Sequence, residues 1–264
     1  MIKSIGVIYN FHKGKNLNEY TVFPNAPITE ALIDIRVELP SEVDIKKLEF
    51  FHEHVKERFP EKKERRSVEV KIPILPENAS STLHISGGPD GYLFRSPNEN
   101  KIVQARLDGF TFNKLKPYED WKTFSSEAHI FWDMYSKQFN PKKITRIALR
   151  YINKIEVPLP IKDFKEYILT VPEIAPNIPQ ALSNFFMQLV IPNSEIGATA
   201  VINQTMEPIT PNRGVPLIFD IDVFKEAIYV DNKEEIWDDF EKLRKFKNDI
   251  FFKSITKKTE ELFK

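Results

Sequence analysis

The sequence predicts an α+β protein: two similar halves, each running strand, helix, antiparallel strands, helix, with long helices on one face of a mainly antiparallel sheet. Three observations predict it. The stretch ITRIALRYINKIEVP at 144–158 has a strand's composition and period-two alternation. Short alternating runs between 67 and 115 are broken by GGPDG and SPNEN, which are hairpin signals. Two long segments, over 118–139 and from Lys233 into the tail, instead carry apolar stripes at helical spacing.

Taken in order, Ile5 to Tyr9 reads as a short strand before the polar HKGKNLNEY. Prolines 24 and 27 then fix an extended approach to an alternating strand at 31–39. Ser41 is a helix cap, and Val43, Leu48, Phe51, Val55 and Phe59 form one stripe of a helix over 42–59 that Pro60 ends. The mixed-charge tract at 55–66 reads as a solvated helix end and loop. Strands follow at 67–74 and through STLHISG, GYLFRS, NKIVQARLD and FTFNKL. The helix over 118–139 buries Trp121, Phe124, Ala128, Phe131, Trp132, Tyr135 and Phe139, and leads into the 144–158 strand. Past Pro158 come a short helix at 163–169, a proline-rich loop, and strands at 184–191, 197–204 and 215–223. The last helix buries Ile236, Phe240, Leu243, Phe246, Ile250, Phe251 and Ile255.

The order of elements repeats. RVELP at 36–40 matches KIEVP at 154–158, LDGFTFNKL at 107–115 matches LIFDIDVFK at 217–225, and YEDWKTF at 118–124 matches KEEIWDDF at 233–240. The expectation is an internal duplication, 1–142 and 143–264, folded into one body.

Composition narrows the function classes. Lys plus Arg and Asp plus Glu number 38 each, so net charge gives no pull toward nucleic acid, which is an unexpected partner. With no cysteine there is neither disulfide nor thiolate chemistry, and a cytoplasmic protein is expected. No apolar run is long enough to cross a bilayer. Phosphate-loop, GxSxG and HExxH signatures are absent. His12, His52, His54, His84 and His129 are scattered, and His52 and His54 do not share a helix face. No cofactor is expected.

NAPITEALIDIRVEL, RIALRYINKIEVP, LIFDIDVF and KLRKFKNDIFFKSITKKTEELF together resemble a sporadically distributed prokaryotic protein family of about this length that has no assigned activity. The resemblance covers residues 20–264 and implies a full-length cytoplasmic protein. It carries over no catalytic residue.

Candidate chemistry therefore rests on strand positions. Thr145, Ile147, Leu149, Tyr151, Asn153, Ile155 and Val157 point one way, toward the core. Ile144, Arg146, Ala148, Arg150, Ile152, Lys154 and Glu156 point the other. Arg146, Arg150 and Lys154 form a basic line, to which Arg36 adds if the two first strands are neighbours; with Asp34 beside it, the line is a candidate anion-binding site or a salt-bridge layer. Asn153 is an amide on an apolar face and has to bracket structure or line a pocket; Asn248 and Asp249 repeat the anomaly. Asp220 and Asp222 share a strand face and are the candidate metal ligands, with Glu30 and Asp34 in reach. Three functions stand: a non-catalytic binding or protein-interaction module, a metal-dependent hydrolase or nuclease, and a small anionic-ligand binder. Oligomeric state is left open.

Overall fold

The computed structural model describes residues 20–66, 69–71, 84–86, 88–180, 182–208, 214–230 and 235–264. The expected strand at 5–9, His12, most of the 67–87 region and the start of the last helix at Lys233 lie outside the described residues. In chain order the strands are β1 (Ile28–Glu38), β2 (Glu61–Arg66), β3 (Glu69–Lys71), β4 (His84–Ser86), β5 (Pro89–Ser96), β6 (Lys101–Arg106), β7 (Gly109–Leu115), β8 (Lys143–Val157), β9 (Phe186–Asn193), β10 (Ala198–Met206) and β11 (Val215–Tyr229). Helices α1 (Ile45–Glu49) and α2 (His52–Val55) follow β1, α3 (Trp121–Phe139) precedes β8, and α4 (Glu235–Ser254) and α5 (Lys257–Glu261) follow β11.

Nine strands form one sheet in the order β2-β5-β6-β7-β1-β8-β11-β10-β9, and β3 pairs with β4 apart from it. Every neighbouring pair is antiparallel. The chain is thus α+β. Outward from β1 lie β7, β6 and β5; outward from β8 lie β11, β10 and β9. Each flank is laid down from the outside in, and each is followed by a long helix.

Register explains the core. Ile33 stands opposite both Phe112 and Leu149, and Leu149 opposite Val223, so one apolar row crosses the middle of the sheet. Phe112 meets Phe124 and Phe131 of α3 at ring distances of 5.6 and 5.5 Å. Phe219, on the same face of β11, meets Phe251 of α4 at 6.1 Å. Asp120 caps α3 by accepting from the Thr123 N–H, and Asn140 ends it in the left-handed region at φ 43°.

Both ends of α4 are tied down. Near its start the buried Asp239 carboxylate accepts from Lys225 Nζ, Tyr229 OH and Lys242 Nζ, each at 2.7 Å. At its end the Leu169 N–H donates to Ser254 O at 2.8 Å and the Thr256 N–H to Tyr167 O at 3.0 Å. Among the described residues no helix is long and apolar enough to cross a membrane.

Several expectations are corrected. The single helix over 42–59 is two short ones, capped by Asp44 and not Ser41, because the chain tightens at Phe50 and Phe51 and turns Phe51 fully inward. Residues 61–66, expected as loop, form the edge strand β2, whose EKKERR side chains are almost all exposed. Ile144 is buried with the core: pairing with β1 shifts register between Arg36 and Val37, which turns Ile144 to the helix side. Residues 163–169 contain only a 3₁₀ turn at Phe164–Glu166, capped by Asp163. The terminal helix breaks after Ser254 and restarts at Lys257 with Thr256 as cap.

Phe112 is fully buried under α3 and Ile130, on the outer side of α3, is 52% exposed. Phe112→Ala is expected to lower unfolding free energy by about 3–5 kcal/mol in urea titrations, and Ile130→Ala by less than about 0.5 kcal/mol.

Candidate functional site

The face of the sheet away from the long helices carries the predicted arginines and aspartates. Arg150 Nε and Nη2 donate to the two carboxylate oxygens of Asp220 at 2.8 and 2.7 Å, a two-pronged pairing between diagonal neighbours on β8 and β11. Asn203 Nδ2 adds a bond to Asp220 at 3.2 Å. Asp34 accepts from Arg106 Nη1 at 2.7 Å and from Thr111 Oγ1 at 2.8 Å. Arg146 lies 3.5 Å from Asp34 and 3.6 Å from Asp222, with its guanidinium 4.4 Å from the Phe224 ring centre. Arg36, opposite Arg146, is half exposed and 3.8 Å from Asp34. Glu30 accepts from Asn113 Nδ2 at 2.6 Å.

The charges on this face largely answer one another. The Asp220 hydrogen bonds hold Arg150 above its ordinary pKa against the opposing effect of burial. Burial lowers Arg146 and raises Asp222, in each case against the opposite charge beside it. Asp220, the more buried of the two candidate metal ligands, has both oxygens engaged by Arg150. Among the described residues no three His, Cys, Asp or Glu side chains are grouped to hold a metal ion.

Asn153 is on the opposite face, so the predicted binding set is divided by the sheet itself. Its Nδ2 donates to Phe219 O at 3.0 Å, and its side chain faces a cleft of about 470 Å³ bounded by α4, the start of α3, β8 and residues 20–28. The 20–28 wall is held by the Asn25 N–H to Phe263 O at 3.0 Å and the Lys154 N–H to Pro27 O at 2.9 Å. Tyr20 stacks on Phe252 and donates to Asp249 Oδ1 at 2.5 Å. Asn248 also lines the cleft.

At the cleft floor the Tyr118 and Tyr151 hydroxyls are 2.8 Å apart, and burial raises both phenol pKa values. Lys247 projects from α4 with its Nζ 3.8 Å from the Tyr151 ring centre. It is 8% exposed and makes no ion pair or hydrogen bond among the described residues. Burial, with a smaller contribution from Arg244, lowers its pKa to about 7. Arg244 Nε donates to Glu241 at 3.0 Å, and Trp121 Nε1 donates to the same carboxylate.

Lys247, Tyr118 and Arg244 were not singled out by sequence reasoning. The signal for Lys247 was present: positions 236, 240, 243, 247 and 251 form one buried line of α4, and a lysine occupies the fourth of them. Among the described residues no histidine joins a group that could hold a metal ion. His52 Nε2 bonds Phe59 O at 2.9 Å and His129 stacks on Trp237 at 4.3 Å.

Two stability measurements separate these faces. Arg150→Ala strands the buried Asp220 carboxylate and is expected to cost about 1–3 kcal/mol in chemical denaturation, whereas Asp222→Asn, at a carboxylate that burial already disfavours, changes it by less than about 1 kcal/mol. For Lys247, the unfolded chain keeps its proton up to the ordinary lysine pKa of 10.5 while the folded chain releases it near 7. Unfolded protein therefore binds more protons in that window, and stability rises with pH across it. Relative to Lys247→Met, the wild type is expected to be least stable below pH 7 and to recover toward pH 10, read as the difference between their denaturation midpoints. No protein-family model matches the chain, and no curated protein matches it either.

Proposed function

We propose that this chain is a non-catalytic binding module whose ligand occupies the cleft between α4 and the start of α3. One observation carries the reading: the arginines and aspartates of the charged face are ion-paired with one another, whereas the cleft holds Lys247, which among the described residues has neither ion pair nor hydrogen bond, over an otherwise aromatic floor. A lysine drawn into a mostly buried position without an opposite charge beside it is costly to keep, and sites that bind ligands are where such groups are retained. The cleft's volume and mainly apolar lining suit a small molecule. Its carboxylates are occupied structurally, Glu241 by Arg244 and Trp121 and Asp120 by the α3 cap, which supports binding over acid–base turnover.

The Arg146, Arg150, Arg36 and Asp34 set is assigned to the salt-bridge layer of the sheet, and the anionic-ligand role passes to the other face. A cytoplasmic setting, suggested by the cysteine-free composition and by the family resemblance, belongs to this proposal. So does an internal duplication, which the matching outside-in order of β5-β6-β7-α3 and β9-β10-β11-α4 supports. On that view the cleft lies where the two copies' helices meet the paired first strands, a place that a single half could not form.

The test uses 8-anilinonaphthalene-1-sulfonate, an aromatic anion whose fluorescence rises in apolar sites. Ser125 lines the cleft from α3, so Ser125→Phe fills the space with little effect on the core. Saturable dye binding to the native protein is expected, reduced at least about tenfold by Ser125→Phe with the denaturation midpoint unchanged. Dye binding indifferent to Ser125→Phe would remove the cleft as the binding site.

A further inference from the structure

We propose that the cleft takes an organic anion, an apolar aromatic body ending in a carboxylate, with the carboxylate set against the Lys247 amine. The inference rests on the cleft being the binding site and adds the chemical class of its occupant.

The charge inventory around the cleft points to it. Other partly or fully buried lysines are matched to carboxylates: Lys101 to Glu99 and Glu127, Lys114 to Glu119, and Lys225 to Asp239. Lys247 is not. The acids near it are already engaged, Glu241 by Arg244, Glu119 by Lys114, and Asp249 by Tyr20 with Lys253 at 3.4 Å. The remaining titratable and charged groups lining the cleft are Tyr151 from β8, Tyr118 and Asp120 from the segment entering α3, the exposed Lys122 on α3, and Arg244 one turn earlier on α4. Both tyrosines are held protonated by burial and offer hydroxyls, not negative charge. A ligand carboxylate would supply the missing counter-charge, and low local polarity would make that pairing strong.

The rest of the lining describes the ligand's body. Val22, Phe23, Ile28, Trp121, Phe251 and Phe252 give aromatic and aliphatic walls. A ring system stacked among them is favoured over a flexible polar chain, because rings bury large apolar area with little loss of internal freedom.

Proton linkage gives a signature that apolar binding alone lacks. The free Lys247 amine is half deprotonated near pH 7. Pairing with a carboxylate favours the ammonium, so binding above that pH takes up a proton from solvent, and affinity falls by up to about tenfold per pH unit as the pH rises further.

The experiment is isothermal titration of the full chain with 2-naphthoate and with the isosteric, uncharged 2-naphthamide. Titrations at pH 6.5 and 8.5 in buffers of different ionisation enthalpy would be run on wild type, Lys247→Met and Lys247→Arg. At pH 6.5 the acid is expected to bind about tenfold or more tightly than the amide. At pH 8.5 its binding should take up close to one proton. Lys247→Met should abolish the uptake and bring the two ligands level, while Lys247→Arg should keep the acid preference without proton uptake. Equal wild-type affinities, a preference that survives Lys247→Met, or no naphthoate binding at millimolar concentration would each overturn the inference. If dye binding remains sensitive to Ser125→Phe in those cases, the cleft survives and only the ligand class fails. If dye binding is insensitive, the cleft itself fails.

Discussion

The antiparallel pairing of β1 with β8 is the constraint on which the rest depends. Ile28 and Asn153 are partners across it, so the chain closes a loop of more than a hundred residues before the sheet has a centre. Once that pair is formed, β7 and β11 each have one edge on which to add, and the remaining flanks follow by hairpins that are local in sequence. The same pairing divides the chemistry. Leu149 and Tyr151 go under the helices while Arg146 and Arg150 go to the opposite surface, where β1 and β11 already present Asp34 and Asp220. A sheet covered by helices on one side has to satisfy its other side with its own side chains, and cross-strand ion pairs do so here.

Much of this was legible in the residues. Period-two alternation placed the core side of β8 correctly from Ile147 onward, and the helical stripe of α3 named its buried line down to Phe139. Where reading failed, a local device outweighed the pattern. Ile144 alternates outward in sequence but a register shift turns it in, and no residue type announces a bulge of that kind. EKKERR has no apolar alternation because β2 is an edge strand with both faces wet. Trp121 was assigned to the core, yet it sits at the cleft and spends its indole N–H on Glu241.

The candidate site was legible only in part, for a physical reason. Asn153 stood out because an amide on an apolar strand face needs an explanation, and the cleft supplies one. Lysine on a helix is ordinary, and its long stem lets it escape to water from most positions. Only the three-dimensional arrangement shows that Lys247 does not escape: β8 lies beneath it, and the Tyr151 ring takes the place that a carboxylate would fill elsewhere. The arginine line, louder in the sequence, resolves into ion pairs.

Fixing α4 at both ends, by the Asp239 clamp and by the backbone bonds at Ser254 and Thr256, has a thermodynamic consequence for whatever enters the cleft. The wall that carries Arg244, Lys247, Asn248 and Phe251 is set before any guest arrives. Little configurational freedom is surrendered on docking, so the affinity of a guest is governed by how well it replaces the water it displaces. On the proposed reading, molecules of the same shape are then sorted by the charge and hydration they bring to the Lys247 amine rather than by closure of the helices around them.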